Sequence, residues 1–160
     1  IEDKYWSLSL DERDIDIPTM LGYGWPKQVF MSAFGNYAYV SLPGSQLYYK
    51  VLAALLSALC LYLIYTAIRF GNNTQRLLLL GAGALFGALV AITIYKSWTV
   101  DYQPQGRYYF AMIPVLGTLL AWMRSSVNPL ILTTIVTAMM SLGIYSFITI
   151  ALLEITKYTL

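Results

Sequence analysis

The sequence predicts an all-α integral membrane protein: four transmembrane helices preceded by an extramembrane loop that carries one short interfacial helix. Three observations lead there. Of 160 residues, 58% are hydrophobic and 11% charged, and the mean hydropathy is +0.60. Soluble domains carry about 25% charged and about 45–50% apolar residues, and a soluble chain of this size has too little interior to hide so much apolar surface. The apolar residues also fall in runs suited to a hydrocarbon layer about 30 Å thick, which needs roughly 20 helical residues. Finally, Tyr48, Tyr49, Tyr95, Trp98, Tyr109 and Trp122 gather near the ends of those runs, where amphipathic rings prefer the headgroup level.

Residues 1–46 form the outer-face part and residues 47–160 the membrane domain. The leader, Ile1 to Pro18, is polar and acidic. It lacks the basic stretch and apolar core of a signal peptide, so the chain is expected to continue a longer polypeptide whose upstream part inserted it. Asp14 and Asp16 form an Asp-x-Asp pair of the kind many sugar transferases use to hold a divalent ion. They are the weak metal candidates here, and a solvated acidic loop is the commoner explanation of such a pair. Trp25 to Phe34 suits about two turns of helix, with Pro26 in the first turn and Trp25, Val29, Phe30 and Phe34 on one side. That pattern fits a helix lying in the interface or a loop packed on the bundle.

The membrane runs cover residues 47–68, 77–95, 108–123 and 130–153. Phe70-Gly-Asn-Asn73 makes the turn after the first, and Asn128-Pro129 opens the fourth, since proline suits the first helical turn. Gly81, Gly83 and Gly87 predict a close-packing face on the second helix. The third run is short, only about 24 Å as a helix, and crosses if its flanking arginines snorkel; a re-entrant segment is the alternative. Arg69, Arg76 and Arg124 lie on two connections without acids, which places that side in the cytoplasm and both termini on the outer face.

Composition removes several functions. With no histidine and one cysteine, Cys60, zinc, haem and histidine-based catalysis are excluded, and so is an intrachain disulfide. A net charge of +2 spread along the chain leaves no footprint for nucleic acid. What remains is Asp101-Tyr-Gln-Pro-Gln-Gly-Arg107-Tyr-Tyr109, a polar turn with an arginine directly before an apolar run. A guanidinium stays charged at any relevant pH and is costly at the edge of hydrocarbon. Arg107 therefore either snorkels to lipid headgroups or holds an anion, helped by Tyr108, Gln105 and Asp101 and by the positive end of the following helix. Residue statistics alone favour snorkelling.

Gln105-Gly-Arg-Tyr-Tyr-Phe-Ala-Met-Ile-Pro114 resembles a signature of the bacterial membrane family called domain of unknown function 2142. Phe30-Met-Ser-Ala-Phe-Gly35, Leu42-Pro43 and Tyr48 resemble the same family's earlier segment, in the same order. Ala33 departs from the tryptophan usual there, and Asn36-Tyr37 and Ala111 depart too. The resemblance implies a multi-spanning bacterial inner-membrane protein like the glycosyltransferase C superfamily, using a polyprenyl-phosphate-linked sugar donor in cell-surface polysaccharide or glycolipid assembly. It implies that Arg107, with Tyr108 beside it, neutralises the departing lipid phosphate. It also implies that the base carboxylate, and any divalent cation, belong to the upstream part of the polypeptide, leaving these residues inactive alone. Two other functions stay open: a non-catalytic four-helix subunit or anchor, and a transporter or flippase fragment.

Overall fold

Apolar length decides the architecture. Three helices are long and apolar enough to cross a membrane: α3 (Gln46–Arg69), α4 (Asn73–Thr99), and α6 (Pro129–Ser146) with the π-helical turn Phe147–Leu152 that prolongs it. The computed structural model describes residues 9–37, 42–100, 102 and 104–153. Before the long helices come a 3₁₀ turn (Asp11–Arg13), α1 (Ile17–Gly22), α2 (Trp25–Phe34) and two two-residue strands, β1 (Asn36–Tyr37) and β2 (Leu42–Pro43). The strands pair antiparallel, Asn36 with Pro43 and Tyr37 with Leu42.

The third apolar run differs from the expectation of a fourth spanning helix. It opens as a 3₁₀ helix, Gly106–Ala111, and becomes α-helical only as α5, Met112–Trp122, of 11 residues. That is below the length of an α-helical span. Pro114 lies in the first turn of α5, where proline is tolerated because its missing N–H costs no bond.

Local chemistry sets the ends of the other helices, and hydropathy alone misplaces them. α4 starts at Asn73 rather than residue 77 because Asn72 and Gln75 form a reciprocal capping box: the Gln75 N–H donates to Asn72 Oδ1 at 2.9 Å, and the Asn72 N–H to Gln75 Oε1 at 3.0 Å. Such a box satisfies two of the four orphan donors of a helix start. Ser45 caps α3 by accepting from the Tyr48 N–H, and Asn128 caps α6 by accepting from the Leu130 N–H. Arg76 closes the other end of α3, its Nε donating to the Ala67 carbonyl at 3.2 Å and its Nη2 to that of Ile68 at 2.9 Å. Last-turn carbonyls favour such a cation.

Two cores hold the bundle. At the Arg69–Arg76 end, Leu63 and Ala67 of α3 meet Ala82 of α4, Leu119 of α5 and Met123 just after it. Gln75, nearly fully buried, ties the same end together: Nε2 donates to the Trp122 carbonyl at 2.8 Å, and Oε1 accepts from Ser126 Oγ at 2.9 Å. At the opposite end Tyr48, Tyr49 and Leu52 pack with Phe30, Phe34 and Met139. The glycine face expected on α4 is not close-packed. A Cβ at Gly81, Gly83 or Gly87 would meet nothing within 4 Å, and Ala82 turns to the core instead.

α4 is longer than a membrane requires. Its 27 residues span about 40 Å, so about 10 Å is spare over a hydrocarbon layer of about 30 Å. The far end carries the N-terminal layer. Ile94 and Trp98 pack against Leu10, Met20, Trp25 and Val29, and Trp98 Nε1 donates to the Ile15 carbonyl at 2.7 Å. α2 thus lies packed on the bundle, with Trp25 and Val29 buried in one cluster and Phe30 and Phe34 against another.

Candidate functional site

Arg107 owes its position to a clasp between α2 and the start of the 3₁₀ helix. Ser32, on the last turn of α2, donates from Oγ to the Pro104 carbonyl at 2.9 Å, sharing that proton with the Val29 carbonyl at 3.0 Å. The same oxygen accepts from the Gly106 N–H at 2.7 Å. The two backbones come so close that a Cβ on Gly106 would fall 2.4 Å from the Ala33 nitrogen and 2.3 Å from its Cβ. Only glycine facing a small residue fits there. Tyr102 adds a further tie, its hydroxyl donating to Gln28 Oε1 at 3.4 Å, and burial pushes its pKa up, so the phenol stays neutral.

One residue past the clasp, Arg107 is exposed. Its guanidinium lies 5.7 Å from the centre of the Tyr108 ring, within the range of a cation–π contact, and no hydrogen bond or ion pair engages it among the described residues. Tyr108 stays exposed on that side. Tyr109 turns inward, 5.6 Å ring to ring from Phe86, and joins the cluster around Met20 and Trp25. Gln105, half-buried, precedes Gly106 and is the N-cap residue of the 3₁₀ helix without a side-chain cap bond. Arg107 and Tyr108 are therefore brought together, with Gln105 next to the clasp. Asp101 and Gln103 lie outside the described residues.

The acidic pair has other work. Asp16 is the N-cap of α1, Oδ1 accepting from the Thr19 N–H at 2.9 Å, and its bonds to Thr19 hold the carboxyl below its ordinary pKa. Asp14 closes the 3₁₀ turn in a left-handed conformation, φ 55°. Neither carboxylate belongs to a group of three metal-binding side chains among the described residues.

An apolar groove of about 370 Å³ lies next to the clasp. Ala33 and Phe34 roof it, Tyr48 and Leu52 of α3 form one wall, and Met139 and Gly143 of α6 form the other. Tyr48 and Tyr49 look like headgroup-level aromatics in the sequence, yet both are buried and brace the roof. The Tyr48 hydroxyl donates to the Phe34 carbonyl, and that of Tyr49 to Gly35 at 3.0 Å while accepting from the Gly44 N–H at 2.8 Å. Ala33 lines the groove and is also the residue that Gly106 approaches. Sequence reasoning missed Ser32, Gly106's contact and the groove. The signal available was a small pair, Ser32-Ala33, interrupting an otherwise bulky helix face.

No family model matches the chain, and no curated protein or solved structure matches it.

Proposed function

We propose that this chain is the membrane portion of a glycosyltransferase C-like protein of the bacterial inner membrane, and that Arg107 holds the phosphate of a polyprenyl-linked sugar donor. One observation carries the reading: a loop clasped to α2 presents an exposed guanidinium, with Tyr108 beside it, next to an apolar groove. A fixed cation placed where negative charge develops is a large catalytic term. As the glycosidic bond to the lipid phosphate breaks, Arg107 would neutralise the departing phosphate and Tyr108 would add a hydroxyl donor. Gln105 would add an amide donor to the phosphate, and Asp101, acceptor-only when ionised, would orient the cation rather than touch the phosphate. None of the carboxylates described here is assigned as the base.

In this arrangement the segment Gly106–Trp122 makes a fourth crossing, both termini face outward, and Arg69, Arg76 and Arg124 face the cytoplasm. The test is transfer from a polyprenyl-phosphate sugar donor by the full polypeptide in proteoliposomes. Arg107→Ala should lower transfer about 10²–10³-fold, the scale of losing one such group, with expression and insertion unchanged. Arg107→Lys should recover only part, since an ammonium lacks the bidentate fork. Unchanged transfer by Arg107→Ala would instead favour a depth anchor in a non-catalytic subunit.

A further inference from the structure

We propose that the bundle end carrying Arg69, Arg76 and Arg124 is a binding site for a phospholipid with two phosphates, as in cardiolipin. The proposal does not rest on Arg107, which follows the clasp to α2 at the opposite end of α4. Bonds across the fold bring the three arginines together. Gln75 Nε2 donates to the Trp122 carbonyl at 2.8 Å and reaches Ser125 Oγ at 3.4 Å. Arg76 directly follows Gln75 and Arg124 directly precedes Ser125, so this tie holds their backbones side by side. Arg76 in turn grips the last turn of α3, donating to the Ala67 and Ile68 carbonyls just before Arg69. The turn between has no play, because a Cβ on Gly71 would collide with the Ala67 carbonyl oxygen.

Their charge is left unmatched. All three are exposed, and among the described residues no ion pair neutralises them. No Asp or Glu occurs between residues 17 and 100 or between 102 and 153. The described acids, Asp11, Glu12, Asp14 and Asp16, lie in the segment that packs on Ile94 and Trp98 at the other end of α4. Guanidinium groups take phosphate oxygens through paired N–H donors. Three positive charges at two places, the Arg69–Arg76 turn and Arg124, match two phosphates better than one. The neighbouring surface points to a lipid over a soluble anion. Ile68, Leu77 and Trp122 are exposed beside the arginines, and α3 and α4 are long and apolar enough to span a membrane. Acyl chains would cover those side chains while the phosphates meet the guanidiniums at headgroup level. Basic pockets between membrane helices bind headgroups of this kind.

The test titrates the full polypeptide in detergent with tetraoleoyl cardiolipin, bound lipid being counted by native mass spectrometry. One cardiolipin should be retained, and dioleoyl phosphatidylglycerol, with a single phosphate, less tightly. Arg69→Gln combined with Arg124→Gln should weaken retention about 30-fold, the scale of two basic residues at an anionic headgroup. Arg76 stays in place because its bonds close α3. Lys50→Gln combined with Lys96→Gln removes two exposed cations from the other end and should change nothing. Hydrogen exchange of the wild type gives the answer should the arginine variant fail to fold: cardiolipin should protect residues 70–73 and 124–128 and leave 94–100 as before. Equal retention of phosphatidylglycerol, equal weakening by the lysine pair, or protection confined to other segments would each overturn the site. Displacement of cardiolipin by millimolar pyrophosphate would assign the arginines to a soluble anion instead.

Discussion

Gly106→Ala is the sharpest perturbation of the Arg107 loop. The added Cβ would lie 2.3 Å from Ala33 Cβ, 2.4 Å from its nitrogen and 2.5 Å from its Cα, against the roughly 3.5–4.0 Å of comfortable carbon contacts. Two of those three atoms are backbone of α2, so relief requires the helix and the loop to part by about 1 Å. Overpacking of this kind costs about 1–3 kcal/mol. Parting also stretches the 2.7 Å bond from the Gly106 N–H to Ser32, worth about 1 kcal/mol. The total is about 2–4 kcal/mol, or roughly 4–16 °C in Tm for a chain of this size. Thermal unfolding of the detergent-solubilised chain, followed by fluorescence-detected size exclusion, measures it. Gly117→Ala is the control, since its Cβ meets nothing within 4 Å and replacing a helical glycine stabilises by about 0.5–1 kcal/mol. Adding Ala33→Gly to Gly106→Ala removes only the Cβ clash, so the double variant should recover less than about 1 kcal/mol, a fraction of the overpacking cost. Wild-type Tm for Gly106→Ala, or full rescue by Ala33→Gly, would refute the backbone clash.

Gln75→Leu strands the Trp122 carbonyl, the Asn72 N–H and the Ser126 hydroxyl, and should cost about 3 kcal/mol in the same assay. The Asp16 carboxyl, held below its ordinary value of 3.8 by Thr19, stabilises α1 above its unfolded pKa and loses that effect as pH falls through the lower folded value. Proteolysis around α1 should therefore rise below about pH 4, and Asp16→Asn, which caps without titrating, should remove that dependence on the carboxyl. With Cys60 replaced by serine, cysteines at Lys96 and Ser125, both exposed, should label from opposite faces of the membrane, Lys96→Cys from outside. Labelling of both from one face would break the proposed topology.

The long helices were legible because length and hydropathy are additive along the chain. So were the helix Trp25–Phe34 and the start at Asn128-Pro129, where one proline or one cap decides a local conformation. Features set across the fold were not. Ser32 and Gly106 are 74 positions apart, and no periodicity announces that the Gly106 N–H meets the Ser32 hydroxyl. Tyr48 and Tyr49 have the composition of headgroup-level aromatics, yet their hydroxyls close the end of α2. Gly81, Gly83 and Gly87 carry the small-residue spacing of a packed face, but which side of α4 meets α3 and α5 is fixed by Ala82 and the Gln75 bonds. Of the candidate site, the sequence made Arg107 and Tyr108 conspicuous through polarity at an apolar edge; the surface that holds them was hidden in an ordinary serine, alanine and glycine.

The 3₁₀ start of the third run lengthens it along the bundle. Tyr109 packs on Phe86, thirteen residues before the end of α4 and so about 20 Å short of it along the axis. Trp98, bonded to the Ile15 carbonyl, stands near the top of α4, well above that contact. At about 2.0 Å per residue, Gly106–Ala111 covers about 12 Å and the 11 residues of α5 about 16 Å more. Together they come close to a hydrocarbon thickness of about 30 Å, whereas an all-α segment of the same residues would fall about 3 Å shorter. In the proposed topology this leaves Arg107 at the outer hydrocarbon edge while the spare length of α4 stands above it. A charge at that depth is expensive unless water or an anion reaches it, and the clasp at Ser32 fixes the backbone from which the side chain extends. The position that makes Arg107 costly is thus the one that suits it to a lipid phosphate.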